Sequence, residues 1–258
     1  MGHPLLELTD KTAVIIGGTS GIGRALSDGL AQAGANVVPT GRREELVRAA
    51  ADHVKALGRR SLAFPCDTTD SKQLERLRDA VLAEFGSVQI LVNCAGRTRR
   101  LPTLEFPEAD WNSILETNLN GTLRACKMFG AHMLKRKYGR IINIASLSSF
   151  VAAFEVTAYS ASKAAVVALT RQLAIEWAMK GVCVNALCPG VFRTDFNAAL
   201  LDGTPRGQEF LMRTPMHRFG KVEELVGAAV FLASDAASFV TGHTLVVDGG
   251  FLASGVNQ

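Results

Sequence analysis

The stretch AVIIGGTSGIGRAL, residues 13–26, runs from an apolar β-branched segment through four glycines into a helical period. Gly17, Gly18, Gly21 and Gly23 are spaced GxxxGxG, not GxGxxG. Glycine permits a tight turn and lets backbone come close to a bound group. A helix N-terminus offers unpaired N–H groups and partial positive charge. Strand, glycine turn and amphipathic helix together make a seat for a pyrophosphate, lined by Gly17, Thr19, Ser20, Gly21, Ile22 and Gly23. A glycine-rich turn with no ligand fits the same letters if they are taken alone.

The alternation continues outward from this stretch. Further strand-like runs are Val37–Thr40, Ser61–Cys66, Val88–Asn93, Arg140–Ala145, Val182–Leu187 and Thr244–Val247. They are continuously apolar, as strands covered on both faces are. Helical stripes lie between them: Ile22, Ala25, Leu26, Gly29, Leu30 and Ala33 in one, and Val166, Leu169, Leu173 and Trp177 in another. Strand and helix in alternation predict an α/β fold, a doubly wound parallel sheet of seven strands with helices on both faces. A single domain is expected across residues 1–258.

Two places break the rhythm. Pro39 cannot donate to a strand ladder, so pairing of the second strand is expected to end at about Val38. Gly190 to Lys221 is a long connection holding the helix-like pieces FNAALL and GQEFLM. Connections of that length are commonly functional, and residues 190–221 are read as a lid over a pocket.

The bulk numbers exclude several classes. A net charge of +4 over 258 residues is a mild basic bias, not the clustered excess of a nucleic-acid binder. The N-terminal stretch MGHPLLELTDK lacks a secretory pattern. No apolar run approaches the roughly 20 residues that span a bilayer. The five cysteines, Cys66, Cys94, Cys126, Cys183 and Cys188, include no CxxC pair and read as thiols of a reducing compartment, hence a cytoplasmic protein.

After the second strand comes TGRREEL, where an acidic residue would hold the ribose 2′-OH of NAD(H). Arg42 and Arg43 stand there instead and suit a 2′-phosphate, favouring NADP(H). They also suit the start of a solvated helix. Asp67 in CDTTD is placed either to accept from an adenine amino group or to cap the helix starting near Ser71. Asn93 in NCAG is placed to brace the sheet, while Ala95 and Gly96 leave room for a cofactor.

These pieces, with Asn118 in ETNLNG, Ser146 in IINIAS, Tyr159 and Lys163 in TAYSASK, and Pro189-Gly190, resemble the short-chain dehydrogenase/reductase family from about Lys11 to Gly250. Ile16 and Cys94 depart from the usual threonine and asparagine. The resemblance implies Tyr159 as general acid/base and Lys163 as its partner and ribose ligand. It implies Ser146 on the substrate oxygen and Asn118 on a proton relay. Thr68, Asn93, Ala95, Gly96, Pro189, Gly190, Val191 and Thr194 would join the cofactor site. Ser148 and Phe192 would line the substrate pocket, and a homotetramer is implied.

Free tyrosine titrates near pH ~10. Lys163, four residues along a helix, shares the face of Tyr159, and its ammonium is expected to lower that value. In GRTRRL, Arg97, Arg99 and Arg100 are either a fork for a substrate carboxylate or an exposed basic loop. RR after the glycine, LSSF after IINIAS, EWA and DGGF are similar to the family's sugar-acid and polyol members, the gluconate 5-dehydrogenases and 2-deoxy-gluconate 3-dehydrogenases. The alternatives are a 3-oxoacyl-[acyl-carrier-protein] reductase and a non-catalytic NADP(H)-binding scaffold.

Overall fold

A computed structural model describes residues 3–194, 197–255 and 257. Its strands are β1 (Thr12–Ile16), β2 (Asn36–Thr40), β3 (Ile90–Asn93), β4 (Gly139–Ile144), β5 (Val182–Pro189) and β6 (Thr244–Val247). All pair in parallel, in the order β2-β1-β3-β4-β5-β6. The helices are α1 (Gly21–Gln32), α2 (Glu44–Ala56), α3 (Ser71–Phe85), α4 (Glu108–Leu115), α5 (Gly121–Arg136), α6 (Thr157–Trp177), α7 (Ala198–Leu201), α8 (Pro205–Arg213) and α9 (Val226–Ala233).

Successive strand residues point to opposite faces. Ala13 and Ile15 of β1 therefore pack with Leu26 and Leu30 of α1 and with Ala229 and Leu232 of α9. Val14 and Ile16 pack with Leu74 and Leu77 of α3, Phe129 and Met133 of α5 and Leu173 of α6. The chain winds one way from β1 to β2 and the other way from β3 onward. A crevice opens where that direction reverses, beyond the C-terminal ends of β1 and β3.

The sheet has six strands among the described residues, not seven. Ser61–Cys66 runs beside β2 without forming a ladder. Val37 N–H donates to Arg60 O at 3.1 Å and Cys66 N–H to Gly41 O at 2.8 Å. Between them the donor facing outward belongs to Pro39, which has none. The same geometry corrects the expected end of β2. The donors of Asn36, Val38 and Thr40 face β1, so the missing N–H leaves that pairing intact through Ile16↔Thr40.

Three further features position the site. Asp70, not Asp67, caps α3, its Oδ1 accepting from the N–H groups of Lys72 and Gln73. A π-helical turn, Glu116–Asn120, joins α4 to α5 and carries Asn118; such turns recur at functional sites. Residues 190–221 leave β5 and return to their origin: Gly220 N–H donates to Val191 O at 2.9 Å, and Phe192 bridges Gly220. Of the FNAALL piece, Ala198–Leu201 forms α7, and Phe196 lies outside the described residues. GQEFLM falls within α8.

All five cysteines are free thiols. Among the described residues no helix is long and apolar enough to cross a membrane.

Candidate active site

Tyr159 lies in the first turn of α6 and Lys163 one turn later. Lys163 is only 5% exposed, and its ammonium donates to Ile144 O at 2.6 Å, the last residue of β4. Its Nζ stands 5.7 Å from the centre of the Tyr159 ring. Ser146 follows β4 by two residues, and its hydroxyl hydrogen-bonds the phenol. Ser148 helps to aim that hydroxyl, donating its backbone N–H to Ser146 Oγ at 3.2 Å. Strand end and helix start thus bring three side chains together from two segments of the chain.

Burial dominates the electrostatics. It pushes the Lys163 ammonium down to about 8, against the Coulombic pull of Cys94 and Cys188. It pushes the Tyr159 phenol up, and the hydrogen bond with Ser146 opposes the rise. The expectation that Lys163 lowers the phenol is corrected here, because desolvation is the larger effect and the ammonium is spent on Ile144. Tyr159 is held as a neutral phenol, the form that gives a proton to a carbonyl oxygen.

Asn118 is wholly buried. Its Oδ1 accepts from Arg97 N–H at 2.8 Å, and its Nδ2 donates to Arg97 O and to Ser162 Oγ, each at 3.0 Å. Ser162 in turn donates to Tyr159 O at 2.7 Å. Sequence reading missed Ser162. Its only signal was a small polar residue beside Lys163 on the face of α6 that the sheet covers.

The glycine loop closes on itself. Gly17 has φ +81°, and a Cβ on it would stand 2.7 Å from Ala95 N; one on Gly23 would stand 2.0 Å from Gly17 O. Ser20 makes no side-chain cap bond, which leaves the first N–H groups of α1 to a ligand. Thr194 overhangs Gly21: a Cβ there would lie 3.6 Å from Thr194 Cγ2. Ile22 turns inward against the apolar core. Thr19 adjoins Gly41, and Arg42 and Arg43 follow it, exposed, before α2. Gly96 is exposed, and a Cβ on it would lie 3.7 Å from Lys163 Nζ and 3.6 Å from Asn118 Oδ1. The groove therefore runs from Arg42 past the start of α1 to Lys163. Pro189 and Gly190 end β5 against Val247 and Asp248, with Val191 next.

Other expected positions are used differently. Asp67 accepts from the N–H and hydroxyl of Thr69, a local turn. Thr68 is buried with its side chain against Gly121 of α5. Asn93 donates to Asn143 Oδ1 at 2.9 Å, bracing β3 to β4 as its alternative reading had it. Phe192 is buried under Gly220 in the core, not on a substrate surface. Arg99 pairs with Asp110, and Arg100 with Glu155 at 2.6 Å, so neither guanidinium is free. Arg97 donates to Ser113 Oγ. A cavity of about 240 Å³ lies between Val191, Phe192, Met216 and Gly249, but none of Ser146, Tyr159 and Lys163 lines it.

Residues 17–252 match the family model described as Enoyl-(Acyl carrier protein) reductase. The chain is 40% identical over 252 residues to 2-dehydro-3-deoxy-D-gluconate 5-dehydrogenase of Bacillus subtilis, covering 97% of this chain and 98% of that one. It is 40% identical over 245 residues to D-threitol dehydrogenase of Mycolicibacterium smegmatis, covering 95% and 94%. Its fold matches the crystal structure of a gluconate 5-dehydrogenase from Burkholderia cenocepacia in complex with NADP and tartrate, with TM-score 0.94, 38% identity and coverage of 97% and 98%. With a tyrosine, a lysine and a serine gathered at the end of a dinucleotide-type groove, and with likeness of this kind along its whole length, the chain belongs to the short-chain dehydrogenase/reductase family.

Proposed function

We propose that the protein is an NADP(H)-dependent oxidoreductase interconverting a secondary alcohol and a ketone on a sugar acid or polyol. One observation carries the chemistry: a half-buried neutral phenol, hydrogen-bonded to Ser146, stands one helical turn from Lys163 at the end of an open groove. The relatives that match along their full length are named for gluconate derivatives and threitol, which supports the substrate class.

The groove fits a dinucleotide, since Gly96 leaves open the space that a Cβ would fill before Lys163 and no side chain caps α1. Gly17, Thr19, Ser20 and Gly21 would hold its pyrophosphate under Thr194, with Gly23 closing the turn. Arg42 and Arg43 would take a 2′-phosphate by charge-assisted hydrogen bonds. Ala95, Gly96, Pro189, Gly190 and Val191 would flank the nicotinamide half. When bound, the nicotinamide supplies or accepts the hydride.

The chain's own residues handle the oxygen. Ser146 and Tyr159 hold the substrate oxygen, and the phenol proton passes to it in reduction and returns in oxidation. Lys163, near half-protonation around pH 8, restores that proton. Asn118 positions this machinery, since its amide ties Arg97 and Ser162 to the first turn of α6. Residues 190–221 act as a lid hinged at Val191 and Gly220. The assembly is a homotetramer in the cytoplasm, and the unbridged thiols support that compartment.

The test is turnover with both cofactors on 5-keto-D-gluconate, D-gluconate, threitol and acetoacetyl thioesters. Turnover of sugar acids or polyols with NADP(H) is expected. Tyr159→Phe keeps NADPH binding and loses most turnover; a near-normal rate in that variant overturns the assignment. Thioester turnover alone points to a 3-oxoacyl-[acyl-carrier-protein] reductase.

A further inference from the structure

We propose that Arg206, carried by the lid helix α8, recognises the carboxylate of an acidic substrate and so selects sugar acids over neutral polyols. The inference rests on the substrate reading above and assigns it a residue.

Arg206 differs from the arginines around it. Arg99, Arg100, Arg193, Arg213 and Arg218 each face a carboxylate of Asp110, Glu155, Asp202, Glu209 or Glu224. Arg206 has no carboxylate within ion-pair distance among the described residues. Its described polar contact is one N–H donated to Phe154 O at 3.2 Å, with Phe210 beneath its plane at 5.5 Å. A guanidinium carries five donors in a fork that matches a carboxylate, so most of this fork is unspent. The group is half-buried, and burial with the nearby Arg100 charge pushes its pKa down, which raises the value of an added anion. Arg206 also sits in the first turn of α8, where a cation opposes the helix dipole. Stabilising its own helix does not explain it.

Its position points at the substrate. Phe154 and Glu155 immediately precede the turn that carries Tyr159. The Glu155 carboxylate is already committed to Arg100, and its backbone, at φ +65°, is fixed by the bond from Leu101 N–H to Glu155 O at 2.9 Å. Glu209, the other acid acting on Arg206, pairs with Arg213 at 3.1 Å. The rim cluster of Arg100, Arg206 and Glu155 thus keeps one excess positive charge. A sugar acid whose carbinol lies at Tyr159 carries its carboxylate several carbons away, and the proposal seats that carboxylate at this rim, beside the loop that leads into α6. Tying the carboxylate to α8 also ties the lid to the loop before α6.

The experiment compares wild type, Arg206→Gln and Arg206→Lys for NADPH-dependent reduction of 5-keto-D-gluconate and of the neutral ketose D-fructose. Calorimetric titration of D-gluconate into the NADP⁺-loaded protein accompanies it. Arg206→Gln is expected to raise KM for the ketoacid, and to lower the ketoacid-to-ketose ratio of kcat/KM, by about 10- to 100-fold, as loss of a charge-assisted contact does. Arg206→Lys is expected to retain part of the ratio. Gluconate binding should weaken in parallel in the Gln variant. An unchanged ratio, or equal gluconate affinity in wild type and Arg206→Gln, overturns the proposal while leaving the sugar-acid reading standing. A wild type that neither binds gluconate nor reduces the ketoacid, yet reduces neutral ketoses, overturns the proposal together with the sugar-acid half of the substrate reading and leaves its polyol half.

Discussion

The Lys163 ammonium lies 2.6 Å from Ile144 O, a side chain of α6 bonded to the last carbonyl of β4. This one contact ties the helix carrying the phenol to the strand that delivers Ser146. It also keeps a cation where water is scarce, at a cost that the fold bears for its chemistry.

That cost is measurable. With a pKa lowered to about 8 against 10.5 for an ordinary lysine, the folded protein releases this proton before the unfolded chain does. Between those values the unfolded chain binds more protons, so the Lys163 contribution to stability rises with pH and is at its worst below 8. Lys163→Met is expected to abolish turnover and yet raise Tm at pH 7, since an apolar side chain there avoids a desolvation cost on the order of 3 kcal/mol. It should also flatten Tm against pH between 8 and 10.5 relative to wild type. A lower Tm at pH 7 would show that the bond to Ile144 outweighs desolvation.

Gly96 guards the open end of the groove. A Cβ there would sit 3.7 Å from Lys163 Nζ, an ordinary contact, so Gly96→Ala should fold and weaken NADPH modestly. Gly96→Val, with two more methyl groups, should fold with near-normal Tm and lose NADPH fluorescence binding by at least about tenfold, a loss of roughly 1.4 kcal/mol. Undiminished binding in the Val variant would move the nicotinamide ribose away from this glycine.

Arg42 and Arg43 are exposed at the start of α2, beyond Gly41 and Thr19. Removing both as alanines should raise KM for NADPH about 10- to 100-fold and change that for NADH little, because a charge-assisted bond is worth about 1.5–3 kcal/mol. Equal effects on the two cofactors would mean that the arginines do not read the 2′-phosphate.

Pro39 withholds one hydrogen bond from the edge of the sheet. Pro39→Val restores an outward-facing N–H between the bonds at Arg60 and Cys66. It is expected to extend the sheet by a seventh strand and add about 1 kcal/mol. The readout is the urea midpoint together with slowed amide exchange over residues 61–66. A fall in the midpoint would show that the fixed φ of proline outweighs the ladder bond.

The alternation of β-branched runs and helical stripes, with the glycine turn at residues 17–23, is a local property, and it determined the doubly wound sheet and the placing of the groove. The same holds for Tyr159 and Lys163, because helical spacing alone puts them on one face. What depends on distant partners was settled by tertiary structure. Pro39 was legible as a missing donor, but only the sheet order shows that the donor faces outward. Arg99 and Arg100 read equally as a carboxylate fork or an exposed basic loop, and only the tertiary structure brings Asp110 and Glu155 to them from elsewhere in the chain. The pKa of Tyr159 rises because burial, which no spacing encodes, exceeds the opposing hydrogen bond with Ser146. Ser162 gains its meaning only where α6 meets the turn at Asn118, and Arg206 only where the lid helix meets the loop before α6.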